Sequence, residues 1–199
     1  MKVIQETDDV FRAVTELNLL RQFDFLKMSV ELALKDPDFA ITKEILCQLN
    51  NQAVAFLCTT PGQYRQCPIG IKGTPHAPPH HDSVPGHMDD FLKYMKLHWK
   101  DKSPTHLASF ALWRLNWIHP FVEGNGRTAR ATCYLVLCVK HGLWLPGRNT
   151  VTEQIRRGPS RYYEALRDAD RNSDDRIDRV DVSMMEKYLD DLLTIQLQS

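Results

Sequence analysis

Two runs of helix length, separated by only a short polar stretch, constrain this chain more than anything else in it. THLASFALWRLNWI (105–118) is apolar around most of its circumference, and TARATCYLVLCVKH (128–141) is a second apolar run. A helix without a continuous polar face has to be covered on nearly all sides, so this pair belongs at the centre of a helical core. Ser103-Pro104 supplies a capping hydroxyl and a first-turn proline for the first helix. Pro120 closes it just after His119, and the second helix is expected from Arg127 or Thr128 to a stop at Gly142.

The rest of the chain reads as elements that cover this pair. Apolar residues recur at spacings of three and four over 9–35, 41–58, 87–98, 151–169 and 180–197, with Asp36-Pro37-Asp38 breaking the first two apart. Between Thr59 and Gly86 the composition turns to Pro, Gly and His, with one extended candidate at Cys67 to Ile71. A segment of that length without helix in a compact domain is usually functional. The expectation is a mostly α protein of one domain, 199 residues and 23.0 kDa, with a short β-hairpin in the irregular segment. Lys+Arg 25 against Asp+Glu 25 leaves no net charge, which argues against a nucleic-acid or membrane-surface partner. Five scattered cysteines have no disulfide-framework spacing, and Cys133 and Cys138 fall where small buried hydrophobes belong. With no apolar signal core at the N-terminus and no membrane-length apolar run, the expected location is cytoplasmic.

The stretch between the central helices, HPFVEGNGRTAR (119–130), is dense in chemistry. Gly124-Asn125-Gly126 permits positive φ, so that successive N–H groups could turn inward as an anion-binding nest beside the dipole end of the next helix. Arg127 and Arg130, three apart, could present two guanidinium forks to phosphate oxygens. Glu123 beside such a nest would need a divalent cation between itself and phosphate, and Mg²⁺ suits that role. His119 could accept the proton of an attacking hydroxyl. Each part also has a plainer reading, as a structural histidine, a turn and solvated arginines. Their coincidence within twelve residues favours phosphoryl or nucleotidyl transfer. Phe121 reads as a core anchor.

At every fixed position this stretch resembles the signature of Fic-domain proteins, His-Pro-Phe-x-Asp/Glu-Gly-Asn-Gly-Arg-x-x-Arg. PGQYR (61–65), the His76-Ala77-Pro78-Pro79 segment and RYYEALRDAD (161–170) also resemble recurrent Fic features in their usual order, covering about 41–180. The resemblance implies a helical Fic core at 41–180, with 1–40 an N-terminal helical extension and 181–199 a C-terminal helix. It implies a protein adenylyltransferase that moves AMP from ATP to a Ser, Thr or Tyr hydroxyl of a target protein. His119 would be the general base and Glu123 the Mg²⁺ ligand. Gly124, Asn125 and Gly126 would bind phosphates, Arg127 the β-phosphate and Arg130 the γ-phosphate. Tyr162 and Tyr163 would line the adenine side, a core position being the alternative. The segment about 62–79 would be a hairpin flap that aligns the target by main-chain pairing at Ile69, Gly70 and Ile71. Transfer of UMP, phosphocholine or phosphate, or a silent nucleotide-binding module, are the alternatives.

The chain departs from the family in lacking a full Ser/Thr-x-x-x-Glu-Gly/Asn inhibitory match; the nearest is Ser160 to Glu164 followed by Ala165. That departure leaves control by a separate inhibitory protein, an inhibitory element ahead of this chain, or inhibition through another residue, and without an internal glutamate at Arg130 self-modification is expected. Two metal readings rank lower. Asp170, Asn172, Asp174, Asp178 and Asp181 follow calcium-loop spacing only in part, because Asp175 stands where the turn requires glycine. Cys58, Cys67, His76, His80, His81 and His87 lack paired zinc-ligand spacing.

Overall fold

In the computed structural model, residues 9–71, 73–74 and 76–199 are described. The helices are α1 (Asp9–Ala33), α2 (Lys43–Val54), α3 (Val84–Leu97), α4 (Pro104–Ile118), α5 (Asn125–His141), α6 (Val151–Arg157), α7 (Pro159–Asn172) and α8 (Ser183–Leu197). A 3₁₀ turn at His81–Ser83 leads into α3. The two apolar runs are α4 and α5, and they pack on each other more extensively than any other pair. α1 and α2 cover α5, while α3, α7 and α8 cover α4. Leu107, Phe110, Leu112, Leu135, Val136 and Leu137 are all fully buried at the centre. Burying six such side chains contributes roughly 9–18 kcal/mol at about 1.5–3 kcal/mol each, which is why this pair dictates the rest of the packing.

The ends of the central helices follow from local chemistry. Ser103 Oγ accepts the His106 N–H at 3.0 Å, closing the first turn of α4. Gly142 adopts φ 76° and its N–H returns to the last turn of α5, the left-handed stop that glycine provides without Cβ strain. Two differences from the expected boundaries have a clear local cause. α5 starts at Asn125, ahead of Arg127, because Gly124 takes the left-handed conformation and releases the chain directly into helix. The expected helix over 151–169 is split into α6 and α7 at Gly158-Pro159, where Pro159 cannot continue the hydrogen-bond ladder and instead occupies the first turn of α7.

The expected hairpin is not seen among the described residues of the irregular segment. Among the described residues, Tyr64 and Phe121 form an isolated antiparallel bridge. Prolines at 68, 78 and 79 remove donors that a ladder would use, and the Cys67 and Pro79 carbonyls are already taken by the Arg65 guanidinium. Lys72 and Pro75 lie outside the described residues.

Polar groups inside the core do connecting work that periodicity conceals. Asn18 Nδ2 and Gln22 Nε2 on α1 donate to the Ala55 and Leu49 carbonyls at 2.7 and 2.9 Å, tying α1 to the end of α2. Arg114, within the apolar run of α4, is fully buried, lies 4.0 Å from the Trp117 ring centroid and donates to the Asp175 carbonyl at 2.5 Å. Burial pushes its guanidinium pKa down to about 10. The acidic turn that Arg114 holds closes on itself, since Asp174 accepts the N–H groups of Asp178 and Arg179. Asp170 accepts Trp113 Nε1–H at 2.8 Å. The partial calcium-loop spacing is thus spent on turn and core hydrogen bonds. All five cysteines are free thiols; Cys133 and Cys138 are buried, and burial raises both thiols, Cys138 to about 11. No helix among the described residues is long and apolar enough to cross a membrane.

Candidate active site

The loop from His119 to Gly124 connects the C-terminus of α4 to the N-terminus of α5, and the structure brings its chemical groups to that junction. His119 caps α4 with φ 51° and ψ 58°, a left-handed conformation that a residue with a Cβ adopts only under constraint. The constraint is Arg65. Its Nε donates to the His119 carbonyl at 2.8 Å, its Nη1 to Cys67 O and its Nη2 to Pro79 O, while its own N–H donates to Pro120 O at 2.8 Å. One buried guanidinium therefore ties the irregular segment to the end of α4. Its role has a faint sequence signal, an arginine inside a Pro/Gly-rich stretch, which does not reveal what it would hold.

The tautomer of His119 follows from its partner. Nδ1 lies 3.2 Å from the Asn116 carbonyl, which can only accept, so Nδ1 carries the proton and Nε2 has the lone pair. Burial, with Arg65 and His76 adding positive charge nearby, lowers its pKa to about 4, so the ring is neutral at physiological pH. His119 lines a cavity of about 190 Å³ together with Ile71, His76, Trp117, Tyr163 and Asp170. Tyr163 thus sits on the cavity wall. Tyr162 does not: it is buried, and its hydroxyl accepts a hydrogen bond from Asn116 Nδ2 at 2.9 Å.

Gly124 is the one residue of Gly124-Asn125-Gly126 with positive φ, at 80°. A Cβ there would run into Val54 Cγ1, so the site also needs the absence of a side chain. Gly126 is helical and is hemmed in by Arg130, whose Nη1 would be 3.2 Å from an added Cβ. The expected nest is therefore a helix start: the N–H groups of Asn125, Gly126 and Arg127 fall in the first turn of α5, where no intrahelical acceptor exists. The Asn125 side chain faces inward, its Oδ1 accepting the Phe121 N–H and its Nδ2 donating to the Phe121 carbonyl, both at 2.8 Å. It shapes the loop, and only its backbone faces the site. Asn50 on α2 braces the same loop from behind, donating to Glu123 O and Thr128 Oγ1 and accepting the Gly62 N–H. Sequence reading missed it, since an asparagine within an amphipathic helix gives no sign of such partners.

The two arginines differ. Arg127 donates to Ala53 O at 2.6 Å and lies 3.4 Å from Glu123 Oε1, and burial lowers its pKa. Arg130 is half-buried on the next turn and pairs with no carboxylate among the described residues. Glu123 Oε1 also accepts the Gly124 N–H at 3.2 Å. As a partly exposed hard-oxygen donor beside the helix start, Glu123 fits Mg²⁺. Ile69 and Ile71 are half-buried and Gly70 exposed along the segment that leads to the cavity.

Fold and site together define a helical domain whose central pair presents an amide-lined helix start and a guanidinium that meets no carboxylate among the described residues, beside a neutral, oriented histidine. Residues 40–137 match the model of the Fic/DOC family, and the chain is a Fic-domain protein. Among solved structures, it is similar to a Fic-domain-containing signaling protein from Bacteroides thetaiotaomicron (TM-score 0.75, 19% identity, covering 92% of this chain and 70% of that one). It is also similar to Fic-1 (residues 134–508) from C. elegans (TM-score 0.71, 18% identity, 98% and 54% covered). A third is the second Fic domain of IbpA, in complex with adenylylated Cdc42 (TM-score 0.58, 13% identity, 95% and 58% covered). The chain spans little more than half the length of the last two.

Proposed function

We propose that this protein is an adenylyltransferase that moves AMP from ATP to a Ser, Thr or Tyr hydroxyl of a target protein. The observation that carries this reading is the fixed tautomer of His119: Nε2 holds the lone pair beside a helix start able to receive phosphates. In this reading His119 Nε2 removes the hydroxyl proton, the oxygen attacks the α-phosphorus, and the bond to the bridging oxygen breaks to release pyrophosphate. The N–H groups at the start of α5 and the Arg130 guanidinium receive the phosphates, and Arg127, anchored to Ala53 and Glu123, braces them. Glu123 would hold Mg²⁺, whose charge would offset that of the phosphates. The base would enter the cavity against Trp117 and Tyr163. The backbone of Ile69, Gly70 and Ile71 would pair with an extended stretch of target. The structure of a similar Fic domain with adenylylated Cdc42 supports AMP as the group transferred.

The test is transfer from ATP labelled at either the α- or the γ-phosphate, with Mg²⁺, to this chain and to lysate proteins. Label from the α-phosphate with a mass gain of AMP is expected. Label from the γ-phosphate would make it a kinase-like member, and saturable ATP binding without any adduct would make it a silent module.

A further inference from the structure

We propose that His80, His81 and Asp82 form a site for a divalent late first-row transition ion such as Zn²⁺, which clamps the end of the 62–79 segment. The three ligand atoms lie within 4.8 Å of one another. Asp82 stands between the rings, with Oδ2 3.3 Å from His80 Nδ1 and Oδ1 3.7 Å from His81 Nε2. Bonds of about 2.0–2.2 Å to a shared tetrahedral ion place ligand atoms roughly 3.3–3.6 Å apart, so each contact is close to coordination spacing, and because the two use different oxygens of Asp82 a shared ion would take the carboxylate through both oxygens or after a small rotation of it. His81 Nδ1 is buried, which leaves Nε2 as the outward nitrogen of that ring. The 3₁₀ turn gathers the set, since the Ser83 N–H and Oγ both donate to the His80 carbonyl, at 3.0 and 2.8 Å, and the Asp82 N–H donates to His80 Nδ1 at 3.4 Å, a long bond that a bound ion would displace. Two imidazoles and one carboxylate favour zinc, nickel or cobalt over Mg²⁺, which takes the hard oxygens of a site such as Glu123. Three protein ligands leave an outer position for water.

The location gives the site its consequence. Pro79, the residue before the cluster, is held through its carbonyl by Arg65 Nη2 at 2.6 Å, and the same guanidinium holds the His119 carbonyl. His81 and Asp82 also share a cavity wall with Tyr64 and Arg65. An ion here would brace the turn directly beyond the Arg65 tie. Of the six residues whose composition first suggested zinc, only His80 and His81 converge, and they do so on an aspartate outside that group.

The full chain, stripped of metal and without nucleotide, would be titrated with Co²⁺ and then Zn²⁺, so that failure of this site is separable from failure of the transferase reading. Visible d–d absorption saturating at a single equivalent and displaced by Zn²⁺ is expected. His80→Ala, His81→Ala and Asp82→Asn should each weaken it by roughly tenfold or more. With Zn²⁺ bound, proteolytic cleavage within 66–79 should slow in the parent chain and not in Asp82→Asn. Absence of a saturating band, equal binding by all three variants, a thiolate charge-transfer band from Cys47 or Cys67, or cleavage unaffected by Zn²⁺ would each overturn the proposal.

Discussion

At His119 the backbone is held in a left-handed conformation by Arg65 while the Asn116 carbonyl holds the ring, so position, orientation and protonation are all set by neighbours. His119→Ala should reduce transfer by about 10²–10⁴-fold with ATP affinity nearly unchanged, because the phosphate-receiving groups belong to α5. Loss of ATP binding in a folded variant, measured calorimetrically, would contradict that division of labour. The depressed pKa makes a second prediction. The unfolded chain protonates this ring near about 6.5, and the folded protein only near about 4. Between these values the unfolded state binds the extra proton, so the contribution to stability is complete above about 6.5 and is lost as pH falls toward 4. Titration of the His119 ring by NMR should accordingly give a midpoint well below 6; a midpoint at 6.5 in the folded protein would remove burial as the controlling effect.

The start of α5 is where the element scale matters, since its direction depends on Gly124 lying against Val54 of α2 with positive φ. Gly124→Ala adds left-handed strain to a steric conflict with a packed valine, and should destabilise the fold by roughly 2–4 kcal/mol. Chemical denaturation would read this directly, and a cost under about 0.5 kcal/mol would mean that α2 and α5 are free to separate. The existence of this helix was legible in TARATCYLVLCVKH, and its C-terminal stop in Gly142. Its first residue was not, because helix initiation was set by the conformation of Gly124 and its packing on another element. The same holds for the irregular segment: its Pro/Gly composition announced a special loop, but not that Arg65 would bond the carbonyls of Cys67 and Pro79.

Across the whole molecule, α1 and α2 back the site from one side while α7 and the irregular segment close it from the other. No carboxylate among the described residues occupies Arg130, and Glu164, in the nearest inhibitory-like match, is exposed on α7. The isolated chain should therefore be active as purified and modify itself when given ATP and Mg²⁺. If it is silent, and Glu→Gly at Glu16, Glu31 or Glu164 releases activity, the chain carries its own inhibitor. Glu6, the other candidate for such a scan, lies outside the described residues. If it is silent throughout, activation on separating it from a co-purifying protein would point to an external inhibitor.

By itself the sequence determined the helical class, the two central helices, the chemical content of residues 119–130 and the family resemblance. All of these are carried by residue types and short-range spacing, which local sterics and hydrophobic periodicity translate directly into structure. Only the tertiary structure decided which nitrogen of His119 keeps its lone pair, that Arg127 is held by Ala53 and Glu123, that Asn125 turns inward, and that Tyr162 joins the core while Tyr163 faces the cavity. Those outcomes depend on partners far away in the chain, such as Arg65 for His119, Ala53 for Arg127 and Asn50 for the Glu123 carbonyl. Hydrogen bonds to backbone carbonyls leave almost no trace in composition, since every residue but the donor can supply the acceptor.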